Sequence, residues 1–141
     1  MMNNYTFSCV SRNPMTQADE IAIVRLTPTT GTYDVSFDTD GRVVTSLGSP
    51  QGAVDAPSAI LFPLNFFAPA MVVVGAQASG DESEASFVAI GYNPDGSLFD
   101  SWGVDGVVFE QMPGYNSSVM LDALTVGDGK ITAFGAVDES P

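Results

Sequence analysis

The chain carries a doubled segment, and the doubling limits its architecture more than any other feature. Residues 92–108 read YNPDGSLFDSWGVDGVV and residues 26–44 read LTPTTGTYDVSFDTDGRVV. Pro28 aligns with Pro94, Gly31 with Gly96, Ser36-Phe37 with Ser101-Trp102, and Asp40-Gly41 with Asp105-Gly106. Just upstream, EIAIVRLTP (20–28) aligns with SFVAIGYNP (86–94) at a spacing of 66, which falls to 65 at the Asp-Gly pairs. One residue has therefore been gained or lost in the intervening turn. Further on, APSAILF (56–62) aligns with MLDALTV (120–126) and MVVVGA (71–76) with ITAFGA (131–136). YTFSCV (5–10) fits the place of MVVVGA, with Cys9 where the other copies have glycine. Repeats of this length are supersecondary units that bury their apolar surface against neighbouring units.

Each unit supplies short runs rich in Val, Ile and Phe, bounded by some of the 14 glycines and 9 prolines. Such runs read as strands closed by turns. The segments 5–11, 20–27, 41–47, 56–61, 70–78, 85–92, 106–111, 118–125 and 130–137 are expected to be strands. Asn93-Pro94-Asp95-Gly96 is a turn signal, because Pro fixes φ and Gly accepts φ > 0. Gly127-Asp128-Gly129 supports a tight hairpin between the last two strands. No segment keeps a 3.6-residue apolar period, so the fold expected is all-β with antiparallel sheets. Residues 1–141 are read as one all-β domain with repeat units at about 20–78 and 85–137 and an extra N-terminal strand at 5–11.

The second copy resembles the bacterial delta-60 repeat, a β-propeller-like repeat. The resemblance rests on Tyr92-Asn93-Pro94-Asp95-Gly96-Ser97-Leu98, Ser101-Trp102-Gly103, Asp105-Gly106-Val107-Val108 and Asp128-Gly129-Lys130-Ile131. The first copy departs from that pattern at Asp38, which replaces the glycine after the aromatic, and lacks the Asp-Gly-Lys hairpin. The resemblance implies two propeller-like four-stranded repeats, and it implies fold more than activity. A propeller closes with about four to eight blades. Two units and a surplus strand would then be part of a longer array, an oligomer completing a ring, or a sandwich.

Charge narrows the partners. Seventeen acidic residues face four basic ones, Arg12, Arg25, Arg42 and Lys130, for a net charge of −13. With no Lys/Arg cluster to release counterions, nucleic acid is not expected as a partner. Residues 56–76 are uncharged over a span-like length, but Pro57, Pro63 and Pro69 interrupt them, so two strands and a loop are expected there and no membrane span. The N-terminal residues lack a basic region followed by an apolar one and do not read as a signal peptide. Cys9 has no second cysteine to pair with, and histidine is absent.

Catalytic constellations are not apparent. No histidine stands ready to activate Cys9 or a serine, and no motif pairs two carboxylates for glycoside hydrolysis. Ser36, Asp38 and Asp40 alternate before Gly41 as oxygens do in a calcium loop, but Leu47 stands where a bidentate Glu should close it. No enzyme activity, cofactor or metal is expected. Phe37 and Trp102 hold equivalent places and are expected to be core, with sugar stacking as the alternative. The hairpin tip FPLNFFAP (62–69) is apolar where tips are ordinarily polar, which makes Leu64, Phe66 and Phe67 candidate interface residues. The function expected is that of a structural or assembly protein, a homo-oligomer or part of a larger assembly, at the cell surface, outside the cell or on a virus particle. A carbohydrate-binding module that oligomerises and meets a glycan is the alternative.

Overall fold

The computed structural model describes residues 4–47, 54–62, 69–78, 85–112, 115–126 and 130–139. Among them there is no helix, and the strands pair antiparallel throughout. In chain order they are β1 (Tyr5–Arg12), β2 (Asp19–Leu26), β3 (Arg42–Thr45), β4 (Val54–Leu61), β5 (Met71–Ala78), β6 (Ala85–Tyr92), β7 (Val107–Met112), β8 (Tyr115–Val126) and β9 (Lys130–Glu139). Every expected strand is present, and β8 begins three residues earlier than its sequence pattern suggests.

Hydrogen bonding groups the strands as β1-β2-β3, β4-β5-β6-β7 and β8-β9. The two repeat units therefore do not become two four-stranded sheets. Self-similarity defines the cyclic order of strands and leaves the cut between sheets open. Here the cut follows each Asp-Gly strand, so β4–β7 is the complete sheet. Among the described residues the first sheet holds counterparts of β5, β6 and β7, and the last holds counterparts of β4 and β5. The N-terminal strand belongs to the first sheet and pairs with β2 as β5 pairs with β6.

Register reproduces the repeat. Tyr5 faces Leu26 and Met71 faces Tyr92, the same pair displaced by 66 residues on both strands. Ile21 faces Thr45, and Phe87 faces Glu110, displaced by 66 and 65. The missing residue lies in the turn, where Thr27 N–H bonds the Thr32 carbonyl but Asn93 N–H bonds the Ser97 carbonyl. One alignment shifts. The β4-β5 hairpin carries an irregularity after Pro57, and β8-β9 carries two, after Tyr115 and after Met120. Matching the bulge after Pro57 to the one after Met120 pairs Ile60 with Ala123, whose partners Val73 and Ala133 are also equivalent, one residue away from the sequence alignment.

Two apolar layers join the three sheets. Ile21, Ile23, Phe37 and Val43 of the first sheet pack with Met71, Val73, Val88, Ile90 and Tyr92 of the middle sheet. Leu61, Val72, Val74 and Ala76, on the other face of the middle sheet, pack with Phe87, Ala89, Trp102 and Ile131. Strand β4 lies against β1 and β2, and β8 lies against β5 and β6, so the same joint occurs twice. At the first joint the Thr45 and Tyr92 hydroxyls share a buried 2.7 Å hydrogen bond, and burial pushes the Tyr92 phenol up to about 12. Phe37 is buried as expected, at 1% exposure, whereas Trp102 is half-buried. Asp38 adopts left-handed backbone (φ +46°), as Gly103 does at the matching position (φ +64°), so the altered residue keeps the turn.

Candidate functional site

Strand side chains alternate between faces, so one face of the first sheet enters the core and the other does not. The outer face carries Tyr5, Phe7 and Cys9 on β1, Ala22, Val24 and Leu26 on β2, and Val44 on β3. It is apolar, yet Tyr5, Phe7, Cys9 and Val44 are exposed. In the middle sheet the residues matching Tyr5 and Phe7 are buried, Met71 at 5% and Val73 at 0% against 59% and 54% exposure, whereas Phe109, which matches Val44, is exposed as well. A depression of about 610 Å³ opens over this face, lined by Cys9, Ala22, Val24 and Val44 together with Asp38, Asp40 and Arg42.

The opposite end of the stack is also open. Strands β8 and β9 cover Val72, Val74 and Ala76, but no described strand beyond β9 continues the sheet over β6 and β7. Phe87, Ala89 and Trp102 are consequently half-buried, and Val108 is 38% exposed where its counterpart Val43 is 8%. Phe134 on the outer face of β9 is exposed, whereas Val74 at the matching position is buried. Each end thus presents apolar surface of the kind that is closed inside the molecule.

Polar groups fix the first joint. The Arg25 guanidinium sits 4.5 Å over the Phe37 ring, and donates to Asp34 Oδ2 at 2.8 Å, the Pro94 carbonyl at 2.6 Å and Ser36 Oγ at 3.0 Å. Asp38 N–H reaches across to the Asp95 carbonyl at 2.7 Å. Hydrogen bonds from the Ser36 hydroxyl (2.6 Å) and amide (3.0 Å), with the nearby Arg25 charge, hold the Asp34 carboxyl below the usual carboxylate range against the opposing effect of burial. Its contribution is complete above the ordinary carboxylate pKa and is lost as pH falls through the lowered folded value. The urea midpoint should fall as pH drops below about 4, and Asp34→Asn should flatten that decline. An unchanged slope in the variant would remove Asp34 from the acid response.

The remaining sequence candidates divide. Leu64, Phe66 and Phe67 lie outside the described residues, as does the Gly127–Gly129 turn. The Asp40 carboxylate accepts from the Arg42 guanidinium at 3.0 Å and the Arg42 amide at 2.9 Å, which lower its pKa. Among the described residues no three His, Cys, Asp or Glu side chains converge as a metal site. No described helix is long and apolar enough to cross a membrane. Phe37 is buried and presents no ring to a sugar. Sequence reasoning missed the open faces around Val24 and Val108, although comparing the two copies position by position could have raised them once the sheets were cut correctly. Among the described residues the fold is all-β with antiparallel sheets, and apolar faces are exposed at both ends of the stack. No family model, curated protein or solved structure matches the chain.

Proposed function

We propose that the protein is a non-enzymatic structural component acting through protein–protein contacts, as a coat, decoration or surface-layer element outside the cell or on a virus particle. The supporting observation is that apolar faces lie open at both ends of the sheet stack while their counterparts are buried within it. Contiguous exposed apolar surface marks interaction sites. The same reading takes the chain as a repeat of the delta-60 kind, in which units are closed by neighbours, and adds Leu64, Phe66 and Phe67 as further contacts. A glycan-binding module is the competing reading, and of its repeated aromatics only Trp102 is accessible.

Sedimentation of the tagged chain in a native extract of its source, alongside a glycan array, tests this. A particle far heavier than the 14.7 kDa chain with no glycan signal is expected. A monomer in the extract, or saturable binding of a defined sugar, would overturn the proposal.

A further inference from the structure

Resting on that assembly reading, we propose that the outer face of the first sheet docks on the uncovered part of the middle sheet in a second copy of this chain. The joint is head-to-tail and is built like the one already present inside each molecule. Within the chain, Ile90 and Tyr92 are fully buried against a surface that includes Ile21, Ile23, Phe37 and Val43. The repeat converts the entering residues into Val24 and Leu26, and the receiving surface into Phe87, Ala89, Trp102 and Val108. All six are half-buried or exposed in the single chain.

The turns agree. A side chain built at Gly96 would meet Val43 at 2.8 Å and Phe37 at 3.0 Å, because the first sheet closes over that turn. Gly31, its counterpart, meets nothing within 4 Å. Space of the right kind stands in the right place for Trp102 and Val108 of another copy. Strands β1 and β9 hold the same place in the repeat, so docking requires one of them to leave its present partner, β2 or β8, and yield that place to the other. Because the two surfaces differ, each copy keeps one of each free after docking, and association continues as a ring or an open filament.

The test uses two variants that each spoil one surface. Val24→Asp damages the entering face and leaves the receiving face intact, whereas Val108→Asp does the reverse. Burying an unpaired carboxylate at such a joint weakens association at least about a hundredfold. Sedimentation velocity over a wide concentration range is read together with the fluorescence of Trp102, the single tryptophan. The wild type should associate with a blue shift, and each variant alone should stay monomeric and unshifted. Their mixture should form a 1:1 dimer and nothing larger. Circular dichroism checks the fold, and Leu26→Asp, the other entering residue, half-buried here while its counterpart Tyr92 is fully buried, replaces Val24→Asp if that variant unfolds. A wild type that stays monomeric, a mixture that stays monomeric, or either variant dimerising by itself overturns the proposal. If the purified chain is monomeric yet enters a heavy particle in extract, self-docking fails and the assembly reading stands; if neither occurs, both fail.

Discussion

Replacing Phe37 with alanine is expected to cost about 3–5 kcal/mol of folding stability, the range for truncating a buried aromatic. Phe37 is 1% exposed at the centre of the first joint, packed with residues of both sheets. The truncation removes that packing, leaves a cavity that two strand-bound surfaces cannot close, and strips Arg25 of the ring beneath its guanidinium. Trp102→Ala, at the matching position, should cost only about 1–2.5 kcal/mol, because a half-buried ring surrenders a smaller area. Its ring lies against Gly91, where an added side chain would come within 2.7 Å of Cε3, and solvent reaches the remainder. Urea unfolding of both variants, at concentrations where the chain is monomeric, gives the order. Equal losses would mean that Trp102 is already buried in the isolated chain, and the open receiving face would not exist.

The second large effect belongs to Gly96. Alanine there should lower stability by about 2–4 kcal/mol, the sum of left-handed backbone and forced overlap. Gly96 has φ +97°, and its added methyl would press on Val43 and Phe37 across the joint. Gly31→Ala sits at φ +67°, inside the left-handed region that an L residue can occupy, and meets no neighbour, so about 1–2 kcal/mol is expected. The difference between two alanine substitutions at equivalent turns therefore combines the contact between sheets with the costlier backbone at Gly96. Thermal melts of both variants suffice. A Gly31 variant as damaging as the Gly96 variant would show that the joint does not distinguish the two turns.

Strand positions were legible in the sequence because β-branched runs and Gly/Pro turns are local signals. The paired registers of β1-β2 and β5-β6 follow from the 66-residue spacing itself. The partition into sheets was not legible. Which connection crosses between layers is decided by long-range packing, and the linking segments after β3 and β7 carry no distinctive chemistry. The one-residue error around Ile60 has a similar origin, since a bulge adds a residue without altering composition. Phe37 and Trp102 looked alike because the alignment reports a residue's place in the repeat and says nothing of whether a neighbour covers it. The ion pair of Asp40 with Arg42, two residues on, had no signal in the pattern of alternating oxygens before Gly41.

The middle sheet is the layer with partners on both faces, and this grades the energy of opening along the stack. Amides of β5 and β6 sit between two apolar layers and exchange with solvent only in deep openings, whereas β8 and β9 are held from one side and open locally at lower cost. A neighbour seated on an end would stabilise the layer it covers by mass action and by restricting its motion. Under the proposed docking, joining and ordering would be a single event, and the outer strands would be the softest part of a lone copy.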